Sequence, residues 1–308
     1  MQSSPTTPEA VRFRGVTRRF GDVRALDAVD VSISTGETVA VLGPNGAGKT
    51  TAIGLILGLT APTAGSVETL GQSPSSAVSS GRVGAMLQAS GLPSYVRVAE
   101  LLEFTRRLYP EPLALSAILE RAGLTPLRDR RIDQISGGEA QRLRFAMAIA
   151  GNPDLVILDE PTVAMDVETR RSFWADMRRS ASEGRTILFA THYLEEADQV
   201  ADRVLVLDRG TIVADGSGSA IRGRVHARTV RFDLPGADAE MLAGVAGVTA
   251  MDIHGDQVKL TSNDADETVH SIYAAGLAVR NIEVTGAGLE EAFLALTDPD
   301  RSQTETNR

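Results

Sequence analysis

Two short segments hold the residue types that phosphoryl chemistry needs. The first, Gly43-Pro44-Asn45-Gly46-Ala47-Gly48-Lys49-Thr50, reads G-x-x-x-x-G-K-T. Its glycines let the backbone wrap so that successive N–H groups converge on phosphate oxygens. Lys49 can reach terminal phosphates, the Thr50 hydroxyl can ligate Mg²⁺, and Thr51 follows on the phosphate side. Lysine occurs only at Lys49 and Lys259, with arginine used elsewhere. A compact ammonium is thus kept at position 49, where a planar guanidinium would be too bulky. The second segment is the acid pair Asp159-Glu160. Asp159 is suited to hold Mg²⁺ through water, and Glu160 to polarise an attacking water as general base.

These groups need rigid elements behind them. Glu37 to Leu42 reads as a short buried strand and Thr50 to Leu59 as a helix, so the glycine loop lies between strand and helix. A helix starting at Lys49 adds the positive end of its dipole. Leu155 to Leu158 is a strand buried on both faces, with the acids at its carboxyl end, where ligands bind in parallel sheets. The helical segment Val167 to Ser182 separates it from the strand Thr186 to Ala190, which implies right-handed crossovers and a parallel sheet. Val11 to Val31, turning at Phe20-Gly21-Asp22, suggests antiparallel edge strands. Arg82 to Gln88 reads as another strand. Val98 to Arg107 and Leu115 to Ala122 have helical spacing and suggest an inserted helical subdomain at about 89–150. Arg203 to Asp208 and Thr211 to Ala214 flank Gly210 as a closing hairpin.

Composition separates a second module. The 308 residues carry a formal charge of −9, and residues 225–308 hold 6 Lys/Arg against 14 Asp/Glu. This acidic end argues against a nucleic-acid partner. Asp215 to Gly223 reads as a Gly/Ser-rich linker. A small α+β module follows, with strands at Val230 to Leu234, Val258 to Thr261 and Val279 to Val284 and helices near Ala239 to Ala243, Asp264 to Ala275 and Gly288 to Thr297. The expected boundaries are a disordered arm at 1–10, a first domain at 11–223, a second at 224–298 and a disordered tail at 299–308. No cysteine is present, which excludes disulfides and thiol catalysis. No stretch approaches the roughly 18–20 apolar residues of a membrane helix.

Ile135-Ser136-Gly137-Gly138-Glu139-Ala140-Gln141-Arg142 precedes the carboxylate strand. Ser136 and Glu139 form an S-x-x-E capping box, and a capped helix led by two glycines can bind an anion. With the glycine loop, this segment resembles the ATP-binding-cassette (ABC) ATPases, whose signature reads close to Leu-Ser-Gly-Gly-Gln. The likeness covers about residues 11–216. It implies a P-loop NTPase of the ABC type: a RecA-like, mostly parallel α/β core, an antiparallel β edge and an inserted helical subdomain, here with the added α+β domain. ATP and Mg²⁺ are implied as ligands. Ser136, Gly137, Gly138 and Glu139 would bind the γ-phosphate of ATP held by the opposite subunit, leaving a monomer catalytically incomplete.

The same resemblance gives roles to four further residues. Gln88 stands where the family's Mg²⁺-contacting glutamine ends a strand, and the residues after it usually touch the membrane subunit. His192, in Phe189-Ala190-Thr191-His192, would contact the γ-phosphate. Asp166, in Val163-Ala164-Met165-Asp166, falls in the expected dimer-bridging loop. Phe20 matches the aromatic residue that stacks on adenine. Glu139, Ile135, Met165 and Ala164 depart from the commonest family residues, but none removes a group required for chemistry.

One cassette, a glycine-rich linker and a small acidic domain ending Gly288-Leu289-Glu290-Glu291-Ala292-Phe293 resemble the daunorubicin-resistance type of exporter ATPase. This implies export of a drug, lipid or polysaccharide through a separate transmembrane permease. The ATPase would sit at the cytoplasmic face of the membrane with a second ATPase subunit, expected as a homodimer. The second module would stabilise that dimer, touch the permease or serve as a structural extension. An importer subunit has a similar cassette. A DNA-repair ATPase would carry long coiled coils or zinc modules, and a translation factor would need two phosphate loops where this chain has one.

Overall fold

A computed structural model describes residues 8–88, 91–182, 184–223, 228–286 and 288–297. The chain divides into two compact units between Asp215 and Gly216.

The first unit is built on two sheets. Strands β1 (Glu9–Phe20) and β2 (Val23–Ser34) form an antiparallel hairpin through the two-residue turn Gly21-Asp22. The sheet order β2-β1-β4 is completed by β4 (Ala64–Thr69). The expected arm at 1–10 is shorter at its inner end. Glu9 pairs with Ser34, and Ala10 is buried. Residues 1–7 lie outside the described residues.

The central sheet has six strands in the order β5-β6-β7-β3-β8-β9. They are β3 (Thr38–Leu42), β5 (Val83–Met86), β6 (Leu155–Asp159), β7 (Thr186–Ala190), β8 (Arg203–Asp208) and β9 (Thr211–Gly216). The pairs from β5 through β8 are parallel. Every residue of β3, β6 and β7 is buried, as strands covered on both faces require.

Helix α1 (Lys49–Ile56) follows the glycine loop, and its Ile53, Leu55 and Ile56 join an apolar core with Val11, Phe13 and Leu26. A short helix α2 (Pro74–Ser79) leads into β5. The insertion carries α3 (Val98–Arg106), α4 (Leu115–Arg121) and α5 (Gly137–Ile149). Helix α6 (Val167–Ser182) adds Phe173 and Trp174 to an aromatic chain with Phe145 and Phe189. Helix α7 (Leu194–Val200) then leads into β8.

The second unit opens with a helix where a linker is expected. Ser217 accepts a hydrogen bond from the Ala220 N–H and caps α8 (Gly218–Arg222), whose Ile221 is fully buried. An N-cap and one buried apolar residue are enough to order the Gly/Ser-rich stretch. Four antiparallel strands follow: β10 (Arg228–Asp233), β11 (Val248–His254), β12 (Gln257–Ser262) and β13 (Arg280–Gly286), in the order β11-β12-β10-β13. Helix α9 (Ala239–Leu242) falls between β10 and β11, and α10 (Ala265–Ala274) between β12 and β13. This β-α-β-β-α-β arrangement is the ferredoxin-like motif. Val230, Phe232, Leu260 and Ile272 form its core, and α11 (Leu289–Thr297) closes the described chain. The expected tail at 299–308 lies outside the described residues. Among the described residues, no helix is long and apolar enough to cross a membrane.

Candidate nucleotide site

The glycine loop between β3 and α1 needs two of its glycines for space as well as for backbone freedom. A Cβ on Gly43 would lie 2.3 Å from the Leu207 carbonyl oxygen. One on Gly48, at φ +109°, would lie 2.4 Å from that of Ala25. The loop is therefore wedged against its neighbours, with Ala47 buried and its carbonyl accepting from the Gly210 N–H at 3.0 Å. Lys49 turns into the loop, donating from Nζ to the carbonyls of Gly43 at 2.6 Å and Pro44 at 3.1 Å. Burial holds its ammonium below the usual lysine range, partly offset by the carboxylates of Glu160 and Asp159.

Those carboxylates stand at the carboxyl end of β6. Asp159 is 4% exposed, and its Oδ2 lies 3.4 Å from the Thr50 hydroxyl. Burial, followed by repulsion from Glu160, raises the Asp159 pKa, against the smaller pull of Thr50 and Lys49. Glu160 adopts φ +51°, a conformation that costs a non-glycine residue energy and persists only where its surroundings enforce it. Its N–H donates to the Ala190 carbonyl at 2.9 Å, so the chain turns immediately beyond the β6–β7 pairing. Glu160 Oε2 meets His192 Nδ1 at 2.7 Å. The structure thus gathers Lys49, Thr50, Asp159, Glu160 and His192 at one end of the parallel sheet.

The other expected site residues stand apart from this group. Ser136 caps α5: its Oγ accepts from the Glu139 N–H at 3.2 Å, while Glu139 Oε2 accepts from the Ser136 N–H at 2.7 Å. Among the described residues, no hydrogen bond joins Ser136, Gly137, Gly138 or Glu139 to the loop at 43–50. A Cβ on Gly137 or Gly138 would meet nothing nearer than 3.6 Å. Packing within the chain therefore does not require glycine at either position. Phe20 is 50% exposed at the tip of the first hairpin, with the Arg18 guanidinium 4.4 Å from its ring centroid. Gln88 does not end a strand. Strand β5 stops at Met86, where its pairing with β6 ends, and Gln88 lies exposed two residues later. Asp166 caps α6, accepting from the N–H and hydroxyl of Thr169 at 2.8 Å each.

Two contacts close to the site were not expected from sequence. The Gln141 amide reaches the carbonyls of Glu160 and Pro161 at 3.5 Å, which links α5 to the turn after β6. Glu196, 5% exposed, accepts from the hydroxyls of Thr162 at 2.6 Å and Thr191 at 3.1 Å. A signal for Glu196 exists: it shares a helical face with the buried Ala197 and Val200, while Glu195 and Asp198 are exposed.

Comparison with known proteins agrees with this geometry. The family model "ABC transporter" matches residues 26–163. The chain is 31% identical over 313 residues to the daunorubicin resistance ATP-binding protein DrrA3 of Streptomyces coeruleorubidus, covering 96% of this chain and 98% of that protein. It is 36% identical over 224 residues to the Nod factor export ATP-binding protein I of Burkholderia lata, covering 70% and 73% respectively. Among solved structures, the cassette MJ0796, a dimer in a post-hydrolysis state with ADP and Pi, superposes with a TM-score of 0.60 at 25% identity over 67% of this chain and 98% of that one. The chain therefore belongs to the ABC transporter ATP-binding proteins and is an ATP-hydrolysing cassette of that family.

Proposed function

We propose that the chain powers export of a drug, lipid or polysaccharide through a separate membrane-spanning permease, working as a homodimer at the cytoplasmic face of the membrane. Relatives named for daunorubicin resistance and for Nod factor export support the direction, and the former align across both units. The 11–223 and 224–298 division belongs to the same reading, with the second domain as an accessory to the cassette.

In this reading Lys49 and the N–H groups from Gly43 to Thr51, those of Asn45, Gly46, Ala47 and Gly48 included, hold the ATP phosphates, and Phe20 stacks on adenine. Pro44, which has no N–H, shapes the turn and leaves its carbonyl to the lysine. Lys49 already spans two loop carbonyls, so phosphate would replace those acceptors for its ammonium. The oxygens of Thr50 and Asp159, with Gln88 from the segment just beyond β5, suit Mg²⁺, which favours one or two carboxylates together with phosphate oxygens. The cation would supply charge stabilisation to those oxygens. The raised pKa of Asp159 marks buried negative charge that a divalent ion would relieve. Glu160 takes a proton from the attacking water, and His192, held on its carboxylate, faces the γ-phosphate.

The two glycines at 137 and 138 support the two-copy arrangement. Their open space suits the close approach of a phosphate from outside the chain to the capped start of α5. Ser136 and Glu139 would then complete the site of the opposite copy.

The single observation carrying the catalytic reading is the 2.7 Å contact between Glu160 and His192, at the strand end where Asp159 faces Thr50. Glu160→Gln is expected to keep ATP binding and to lower kcat by about 10²- to 10⁴-fold, the range for loss of a general base. Steady-state ATPase assays beside equilibrium nucleotide binding check this. A Glu160→Gln variant turning over at the wild-type rate would remove Glu160 from the role.

A further inference from the structure

We infer that Glu196 is a positioning residue for ATP hydrolysis, fixing His192 and the turn after Glu160 in one geometry. The inference rests on the roles proposed above for Glu160 and His192.

Glu196 lies on α7, four residues beyond His192, yet its carboxylate points into the protein and joins three separate segments. Thr162, two residues after Glu160, donates its hydroxyl to Oε1 at 2.6 Å. Thr191, immediately before His192, donates to Oε2 at 3.1 Å. Arg170, on the first turns of α6, brings Nε within 3.4 Å of Oε1.

Each contact is extended by a second one. The Thr191 hydroxyl accepts from the Tyr193 N–H at 3.0 Å, so residues on both sides of His192 are tied to the carboxylate. The Arg170 guanidinium lies 4.2 Å from the Tyr193 ring centroid and donates to the Met165 carbonyl at 3.5 Å. The Tyr193 ring in turn lies 4.0 Å from that of His192. Glu196 therefore touches neither Glu160 nor His192, but it holds the backbone next to both.

Two features show why such a holder is needed. Glu160 sits at φ +51°, so the turn carrying it must be held by its neighbours. His192 is 53% exposed in its side chain, so burial alone does not set its direction. A buried carboxylate that accepts two hydroxyls and faces one guanidinium supplies that rigidity, because hydrogen bonds to an ionised acceptor are short and directional.

The test compares Glu196→Gln, His192→Ala and the double variant in steady-state ATPase assays. The amide of Glu196→Gln keeps the shape and can bond both hydroxyls, but removes the charge facing Arg170. The expected result is a fall in kcat of about 10- to 100-fold with KM for ATP unchanged, the scale of loss that misplacing reacting groups produces. Because Glu196 also holds the turn after Glu160, the double variant is expected to lose more than His192→Ala alone but less than the product of the two single losses. Wild-type kcat in Glu196→Gln, or losses that multiply in the double variant, would overturn the inference. A wild-type rate in His192→Ala would instead sink the reading on which it rests. Thr162→Val provides a second route if Glu196→Gln does not fold. It leaves the ion pair intact, removes one hydroxyl, and must also lower kcat at constant KM; wild-type kcat in Thr162→Val would count equally against Glu196.

Discussion

The six-stranded sheet of the first unit and the four-stranded sheet of the second handle charge in opposite ways. In the first unit, β3, β6 and β7 are buried along their whole length, and acids appear only where β6 ends. There Asp159 and Glu160 stand side by side, and their repulsion helps raise the Asp159 pKa. In the second unit, β12 alternates buried and half-buried residues and β10 mixes buried with exposed ones, while β11 and β13 are largely exposed. The open face carries Arg231, Asp233, Asp252, Lys259 and Glu283 around a cavity of about 670 Å³. Several of its charged side chains have partners: His254 meets Asp252 at 3.1 Å, and Lys259 meets Glu291 at 3.5 Å. Like charges are thus forced together at the strand ends of the first unit, whereas polar groups are matched on the sheet face of the second. Such unfavourable juxtaposition is tolerated where a ligand relieves it, as the proposed nucleotide and Mg²⁺ would at this strand end.

The largest expected effect comes from separating the two cores. Phe232 is 3% exposed within the second core, and Phe232→Ala should lower the stability of that unit by about 3–5 kcal/mol. Urea denaturation checks the loss, and ATP affinity should stay at the wild-type value. A matching loss of ATP affinity would mean that the second core also shapes the nucleotide site.

Asp159→Asn tests the cost of burying this carboxylate beside Glu160, with the opposite sign. Because the folded pKa of Asp159 is raised, the native state holds more protons than the unfolded chain between about 3.9 and the folded value. Its contribution to stability therefore falls as pH rises through that window, and the penalty is complete above it. Asp159→Asn should raise the Tm of the nucleotide-free protein at neutral pH, leave it nearly unchanged below the window, and weaken Mg²⁺-dependent turnover. Thermal melts at both pH values decide it, and a lower Tm at neutral pH would contradict the combined penalty of burial and repulsion. The smallest effect belongs to the exposed strand. Met251 on β11 is 39% exposed, and Met251→Thr should change stability by no more than about 0.5 kcal/mol in a chemical melt.

The same contrast governs what the sequence reveals. Strands buried on both faces appear as short apolar runs, so Leu155–Leu158 and Thr186–Ala190 are legible together with the acids that follow Leu158. Strand β11 is not, because Val248-Thr249-Ala250-Met251-Asp252-Ile253-His254 lies largely exposed at a sheet edge and its apolar alternation is interrupted at Ala250-Met251. Helix α8 is hidden by its glycines and serines, and its order depends on one cap and on Ile221. The glycine loop, Lys49 and the acid pair are legible because their chemistry fixes their spacing. Glu196 is one acid among Glu195, Glu196 and Asp198; its spacing to Ala197 and Val200 puts it on the inward face, but only packing shows its partners Thr162 and Thr191. Gln88 is legible by type, but the end of its strand depends on how far β6 offers a partner.

The central claim is that ATP held on the Gly43–Thr50 loop of one copy is capped by the Ser136 helix start of another. It is tested most directly by measuring the mass of the Glu160→Gln chain in solution by light scattering, with and without ATP. The account predicts a monomer without nucleotide and a dimer with ATP, and no dimer when Ser136→Phe is added to block the helix start. A Glu160→Gln chain that binds ATP and stays monomeric, or a Ser136→Phe derivative that still dimerises with ATP, would contradict it.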